Sequence, residues 1–271
     1  MPTRDESWPN GTPCWIDLMV NDPDAAKKFY SALFGWDIQE GPPEAGGYAM
    51  CLLNGRAVTA ISPKPQDSPL PNVWSTYLAS DDVDKTVAQA KEAGGHFMIE
   101  PMNVMTSGRF AFGMDPTGAP YGIWQAGDHL GVGSYNEPGT LIWNELMTQD
   151  YEGAKAFYST VFGFTYDDVG QGFTYSMIKR EGDGEVVGGI GALDDGTPAE
   201  VPASWGTYFL VEDCDTSAAR AVELGASIVS QPTDTPFGRM ASVIGAQGEA
   251  FSLIQPPPMD DSAEVTTKEP A

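Results

Sequence analysis

The sequence predicts an α+β protein in which four βαβββ modules form two tandem domains with curved mixed sheets and concave pockets. Three observations lead to this prediction. The second half of the chain repeats the first, each half repeats one order of strands and helix, and a stretch rich in Gly, Asn and Pro joins the halves. With 271 residues, of which 41% are apolar, the chain can form two cores of ordinary size.

The two halves match at a nearly constant offset. Residues 11–19, GTPCWIDLM, recur as residues 139–147, GTLIWNELM, at an offset of 128. A later strand beginning at Trp74 recurs at Trp205, at an offset of 131. This register predicts one domain over residues 11–127, a second over residues 138–257, and flexible termini at 1–10 and 258–271.

Each half contains the same element order twice. Residues 12–20 alternate as a strand does, and Asp22 caps a following helix that ends at Gly35. An Asn-Gly turn at 54–55 separates two short strands. Residues 74–124 repeat this order, so we expect helices on the convex side of a curved sheet and a cup on its concave side.

Composition excludes several classes of partner. Lys and Arg number 14 against 38 Asp and Glu, a net charge of −24, which repels nucleic acid and anionic membranes. Three scattered cysteines, Cys14, Cys51 and Cys214, form no disulfide or zinc pattern and fit a reducing compartment. The first eleven residues lack the apolar segment of a signal peptide, and no apolar run approaches the ~20 residues of a membrane span. We therefore expect a cytoplasmic protein.

These motifs resemble the vicinal oxygen chelate superfamily, which includes glyoxalases, bleomycin-resistance proteins and dioxygenases. The helix pattern D-x6-F-Y-x4-G stands at residues 22–35 and 150–163, and a D-P-x-G turn stands at 115–118. In length and repeat, the chain is most similar to two-domain actinobacterial glyoxalase-like proteins, some described as hydroxylases and one as a mycobacterial antigen. The resemblance covers nearly the whole chain and carries fold better than function.

Metal-dependent members of that superfamily hold a divalent ion with His, Glu or Gln at fixed strand positions. The resemblance places those positions on side chains that are poor metal ligands: Trp15, Ser75, Gly122 and a residue near Ala60 in the first half, and Trp143, Gly206 and Ser252 in the second. The two histidines, His96 and His129, fall outside this register. We therefore predict neither a metal nor another cofactor.

Strand alternation places an indole, a carboxylate and a thioether on the same concave face in each half. Asp17 and Glu145 are the candidate catalytic residues. The predicted ligand-binding residues are aromatic or thioether side chains: Trp15, Met19, Tyr77 and Trp124 in the first half, and Trp143, Met147 and Tyr208 in the second. Gly122 leaves room for a ring.

Alternatives remain for both sets. The aromatic side chains could be core filler. The two carboxylates could form structural ion pairs with Arg109 and Arg239, which also recur.

Three functional hypotheses follow. The first is a metal-independent protein of this fold that binds an aromatic, apolar or polyketide-like small molecule, in a hydroxylase-like accessory or resistance role. The second is an enzyme: a hydroxylase-like accessory protein acting on such molecules, a glyoxalase I type lyase or isomerase that detoxifies methylglyoxal, or a metal-dependent dioxygenase. The third is an interaction protein with vestigial cups.

The fused halves predict two unequal pockets, in which one site can mix residues of both halves. Because the covalent fusion replaces the homodimer of shorter members, we expect a monomer or a weak homodimer.

Overall fold

The computed structural model describes residues 2–65, 71–169, 172–194, 196–198 and 201–257, and these form two mixed eight-stranded sheets with four α-helices. The α+β class and the four-module organisation are thereby confirmed. The first half contains β1 (Pro13–Val20), α1 (Pro23–Phe34), β2 (Asp37–Glu40), β3 (Ala49–Leu53), β4 (Arg56–Pro63), β5 (Val73–Ala79), α2 (Val83–Glu92), β6 (His96–Val104), β7 (Gly108–Met114) and β8 (Pro120–Ala126). The second half contains β9 (Leu141–Thr148), α3 (Tyr151–Phe162), β10 (Thr165–Asp168), β11 (Tyr175–Lys179), β12 (Val186–Ala192), β13 (Ser204–Leu210), α4 (Cys214–Glu223), β14 (Ser227–Thr235), β15 (Gly238–Ile244) and β16 (Ala250–Gln255).

Each sheet is formed by one half of the chain. The strand order is β2-β3-β4-β1-β5-β8-β7-β6 in the first sheet and β10-β11-β12-β9-β13-β16-β15-β14 in the second. β1 therefore lies near the middle, parallel to β4 and antiparallel to β5. The sequence patterns did not place the short strands β2 and β10, which follow α1 and α3 directly.

The predicted ends of α1 agree with its hydrogen bonds. The side chain of Asp22 accepts a hydrogen bond from the amide of Ala25, and Pro23 occupies the first turn. Gly35 ends the helix with φ of 75°, a left-handed conformation that glycine adopts without a steric penalty. The helix buries Phe29, Tyr30 and Phe34 on one face, and the matching helix α3 is capped in the same way by Asp150 and Gly163.

The helices pack the two halves onto each other. The Phe34 ring of α1 lies 4.9 Å from Phe209 of β13, and Tyr158 of α3 lies 5.8 Å from Tyr121 of β8. Each of two buried clusters consequently draws side chains from both halves. The two halves therefore share their cores, while each sheet stays within one half.

A carboxylate supports each final turn, but from different positions. In the first half, Asp115 accepts hydrogen bonds from the amides of Thr117 and Ala119. The second half has Gly245 at the matching position, where a Cβ would overlap the carboxylate of Glu249. Glu249 also accepts a hydrogen bond of 2.8 Å from the hydroxyl of Tyr30 in α1, so this replacement links the halves.

The segment before β1, which we expected to be flexible, contacts the stretch that joins the halves. The amide of Arg4 donates to the carbonyl of Gly133, and the indole of Trp8 donates to the carbonyl of Val132. The joining stretch is itself packed, since Val132 is only 2% exposed. Residues 258–271 lie outside the described residues. Among those described, no helix has the length and apolar character needed to cross a membrane.

Candidate functional site

The concave face of each sheet is set by alternation along its central strand. Ile16 and Leu18 of β1 point into the core, so Trp15 and Asp17 project from the opposite face. The antiparallel neighbour β5 places Tyr77 across from Trp15 and Ser75 across from Asp17. β9 and β13 repeat this register with Glu145 across from Gly206.

Cup one is the polar network of Trp15, Asp17, Tyr48 and Tyr77. The hydroxyls of Tyr77 and Tyr48 donate to Oδ2 of Asp17 at 3.1 and 3.2 Å. The indole Nε1 of Trp15 donates to the Tyr48 hydroxyl at 2.8 Å. The order is therefore indole to phenol to carboxylate, with a second phenol on the same carboxylate.

Cup two is the equivalent network of Trp143, Glu145, Tyr175 and Tyr208. The Tyr175 hydroxyl donates to Oε2 of Glu145 at 2.9 Å and accepts from Nε1 of Trp143 at 3.0 Å. The Tyr208 hydroxyl donates to Oε1 of Glu145. Both halves thus keep the same four chemical groups in the same connectivity, although one carboxylate is Asp and the other Glu.

The alternative in which the cup carboxylates pair with Arg109 and Arg239 is wrong. Nη2 of Arg109 lies 2.9 Å from Asp84 and Nη1 lies 2.6 Å from Asn103. Arg239 pairs with Asp215 and Asp234. Each arginine lies on its second-module hairpin and reaches acidic groups outside the cup, which leaves the cup carboxylates with phenol donors.

Burial perturbs both carboxylates. It raises the pKa of Asp17 to about 7, against the opposing effect of hydrogen bonds from Tyr77 and Tyr48. It also raises the pKa of Glu145, against the hydrogen bonds from Tyr208 and Tyr175. Asp17 can therefore hold or release a proton near neutral pH.

Small residues make room for the tyrosine rings. A Cβ on Gly122 of β8 would overlap the ring of Tyr77, which therefore occupies the space predicted for a ring. In cup two a Cβ on Gly189 of β12 would overlap the hydroxyl of Tyr175. Gly189 lies beside Glu145 as Ala60 lies beside Asp17.

The donor set does not fit a divalent metal ion. The positions that the superfamily uses for ligands carry Trp15, Ala60, Ser75 and Gly122 in cup one, of which only Ser75 has a polar oxygen. The nearby Asp17 already accepts two phenol hydrogen bonds. Among the described residues, no three His, Cys, Asp or Glu side chains gather into a group able to hold a metal.

The two cups differ in access. In cup one, Trp15, Asp17 and Tyr77 are 3%, 5% and 8% exposed, whereas their counterparts Trp143, Glu145 and Tyr208 are all partly exposed.

A histidine covers cup one. The ring of His129 packs edge-on against Trp15 at 4.3 Å and against Trp124 at 5.4 Å. The indole of Trp124 donates to the His129 carbonyl, and burial lowers the pKa of His129 to about 4, so the ring is neutral at pH 7. In cup two, Ile254 replaces Trp124.

Not all predicted side chains join the networks. Trp124 packs against His129 and belongs to the same buried cluster as Trp15 and Tyr77, but its indole donates to the His129 carbonyl and not to the network. Met19 and Met147 are partly exposed and lie two residues beyond the carboxylates on their strands. A Cβ on Gly191 would come within 2.8 Å of the Met147 sulfur, so this thioether packs against β12.

Sequence reasoning missed Tyr48, Tyr175 and His129. Tyr48 lies just before β3, and Tyr175 is the first residue of β11. The two tyrosines match at an offset of 127. Including recurring tyrosines in the repeat comparison would have found them. His129 gave no such signal, because its role depends on how the joining segment folds back over β1 and β8.

Two exposed phenylalanines flank cup two and were also missed. Phe173 and Phe237 are 54% and 41% exposed, and their rings lie 6.0 and 6.5 Å from the ring of Tyr175. Both lie just outside regular strands, where alternation gives no prediction of facing.

Two named relatives match almost the full chain. The chain is 43% identical over 265 residues to the Mycobacterium tuberculosis protein named "Putative glyoxylase CFP32", with 95% of this chain and 99% of that one covered. It is 34% identical over 259 residues to the "Anthracycline biosynthesis protein DauV" of Streptomyces sp., with 90% and 93% covered.

Solved structures share the fold at low identity. A Mn(II)-bound glyoxalase from Novosphingobium aromaticivorans has a TM-score of 0.64 at 17% identity, covering 91% of this chain and 83% of that one. The 2,2',3-trihydroxybiphenyl 1,2-dioxygenase of Sphingomonas wittichii has a TM-score of 0.61 at 13% identity, covering 91% of each chain.

The family model for the glyoxalase, bleomycin resistance protein and dioxygenase superfamily matches residues 14–121 and 140–252. These two matches fall one in each half, in agreement with the repeat. The chain therefore belongs to the glyoxalase/bleomycin resistance protein/dioxygenase superfamily.

Proposed function

We propose that the protein binds an aromatic or largely apolar small molecule in a concave cup without the help of a metal ion. The observation that carries this proposal is that the family's ligand positions hold residues that are poor metal ligands, around a carboxylate held by two tyrosines. A hollow lined by rings with few polar groups suits a flat ligand, and the polar groups orient it.

The relatives support a ligand of this class. One relative is named for anthracycline biosynthesis, which makes a flat, polycyclic, polyketide-like molecule a reasonable model ligand. A hydroxylase-like accessory role or a resistance role is compatible with such binding, because each requires the molecule to be held and shielded from water.

Within a cup, the carboxylate is the group that can exchange a proton. Glu145 accepts one hydrogen bond on each oxygen, so each oxygen keeps a lone pair for a ligand donor. The partly exposed rings of Trp143 and Tyr208 provide apolar contact on either side.

A second candidate is an enzyme in which Asp17 or Glu145 acts as a general acid or base. The raised pKa of both carboxyls favours this role, and one relative is named as a glyoxylase. A lyase or isomerase reaction of that kind needs a proton moved between neighbouring carbons, which a carboxylate near neutral pKa can do.

The test combines metal analysis, ligand binding and turnover on the full chain. Polycyclic aromatic probes should quench the tryptophan fluorescence of chelator-treated protein as strongly as that of untreated protein. Glu145→Gln should weaken binding about tenfold through loss of a charged hydrogen-bond acceptor. The control Glu92→Gln removes the same charge from the exposed end of α2 and should leave binding unchanged.

The results separate the candidates. Binding that requires a stoichiometric zinc, nickel or manganese ion would contradict metal independence. Turnover of the hemithioacetal of methylglyoxal and glutathione that is lost in Glu145→Gln, with binding retained, would favour the enzyme.

A further inference from the structure

Cup two contains a carboxylate with no basic partner among the described residues. The donors to Glu145 are the neutral hydroxyls of Tyr175 and Tyr208, and no ion pair of the described residues includes it. The recurring arginine of the second half, Arg239, is held by Asp215 and Asp234. When Glu145 ionises, its charge in the partly buried cup is therefore uncompensated, which is costly.

Aromatic rings surround this carboxylate. The indole of Trp143 is linked to it through Tyr175, and Tyr208 bonds it directly. Phe173 and Phe237 extend the ring set to the surface, where both are substantially exposed. The faces of aromatic rings carry negative charge density that attracts cations, so the rings and the carboxylate favour the same kind of ligand.

The charge of the whole chain adds to this preference. A net charge of −24 attracts cations over long range and repels anions. The net charge thus attracts a cationic group on the ligand before contact. After contact, the cationic group meets a carboxylate that has no basic partner.

Access assigns the site to one cup. Cup one has the same carboxylate and phenols, but His129 and Trp124 cover it, and Asp17 is only 5% exposed. Gly206 gives cup two further room, because it stands where cup one has Ser75, and a Cβ there would lie no closer than 3.7 Å to another atom.

Resting on the proposed function, we propose that cup two binds an aromatic molecule that carries a protonated amine. The ammonium group donates to Glu145, and the ring packs among Trp143, Phe173 and Phe237. Cup one is closed to the same molecule and serves the fold. One molecule therefore binds per chain.

The test uses three probes with one ring system: 1-naphthylmethylamine, 1-naphthalenemethanol and 1-naphthoic acid. Titration calorimetry on the full chain should rank the amine first, about tenfold or more tighter than the alcohol, with the acid weakest. Added salt should weaken the amine and leave the alcohol nearly unchanged, because only the amine is charged.

Variants then test the residues. Glu145→Gln should remove the preference of the amine over the alcohol, while Glu92→Gln should keep it. Because Glu145→Gln could disturb the network, Phe237→Ala provides a second test at an exposed side chain. It should weaken the amine a few-fold without lowering the melting temperature.

The possible failures are distinct. If the alcohol binds as tightly as the amine, the cationic preference is wrong and the proposed function stands. If two amines bind per chain, or if Asp17→Asn removes the preference and Glu145→Gln does not, the assignment to cup two is wrong. If none of the probes binds, both proposals are overturned.

Discussion

Cup one and cup two are the same network with different access. Each has a central-strand carboxylate, two phenol donors and an indole bonded to one of the phenols. In cup one the indole, the carboxylate and Tyr77 are buried beside His129 and Trp124, and Tyr48 is partly exposed, whereas all four groups of cup two are partly exposed. The network is thus a property of the repeated module. Access is decided by His129, which lies outside the repeat, and by Trp124, which Ile254 replaces in the second half.

This difference has an electrostatic consequence. Burial without an opposite charge raises the pKa of a carboxyl group, as the pKa of about 7 for Asp17 illustrates. In a closed cup the carboxyl group can stay protonated, so no buried charge forms. An open cup can instead offer its carboxylate to a ligand, which makes the cup that is less buried the better candidate for binding.

The largest expected effect is the pH dependence that Asp17→Asn removes. Because the folded pKa of Asp17 lies above its unfolded value near 4, the folded state holds the proton more tightly. Protonated Asp17 therefore makes its full contribution to stability below about pH 4. The free energy of unfolding falls as pH rises from there through 7. The wild-type minus variant difference in unfolding free energy should fall by several kcal/mol between pH 4 and 8, because each pKa unit corresponds to about 1.4 kcal/mol.

Urea unfolding of both proteins across this range measures the effect. Glu145→Gln should give a smaller change of the same sign, since Glu145 is partly exposed. Equal changes in the two cups would break the comparison, and a rise with pH would contradict the burial argument.

A second, intermediate effect is expected when Gly189 of cup two is changed to alanine, the residue that cup one has at the matching position, Ala60. Gly189→Ala adds a Cβ that overlaps the Tyr175 hydroxyl, so the phenol must leave Glu145. The loss of a hydrogen bond to a charged group should lower the free energy of unfolding by about 2 kcal/mol. Urea denaturation measures it, and near-UV circular dichroism reports the displaced ring.

The matched control is Gly206→Ala in the same cup. Its Cβ would make only ordinary contacts at 3.7 Å, so stability should change by less than about 0.5 kcal/mol. Similar losses in both variants would show that cup two does not depend on the position of Tyr175.

The smallest expected effect is the opening of cup one by His129→Ala. The ring makes two edge contacts with indoles, each worth about 0.5–1 kcal/mol, so its loss should cost about 1–2 kcal/mol. Acrylamide should then quench tryptophan fluorescence more strongly than in the wild type. His96→Ala, at an exposed residue of β6, should leave quenching unchanged. Quenching that stays at the wild-type level would mean that His129 does not control access.

Much of the cups could be predicted from strand alternation and repetition. Both signals place Trp15, Asp17 and Tyr77 on one face, and the hydrogen bonds bring these groups together as expected. The partners of the carboxylates could not be predicted in the same way. Arg109 recurs and is basic, but its guanidinium reaches Asp84 rather than Asp17, because both lie on second-module elements.

The substitution at the final turn gives the same lesson. Sequence comparison shows that Gly245 stands in the second half where the first half has Asp115, so the carboxylate is missing at this position. In three dimensions, Glu249 returns the carboxylate to the same space from four residues further along the chain. A change at one position can therefore be compensated at another without a recognisable motif.

The sequence by itself determined the module order, the helix ends and the face on which each cup lies. These features depend on local signals, namely alternation, capping residues and a repeat with constant offset. Only the tertiary structure decided which donors hold the carboxylates and which cup is open. Those outcomes depend on Tyr48, Tyr175 and His129, which approach from strands and segments distant in sequence. Local sequence signals do not show which distant side chains will meet.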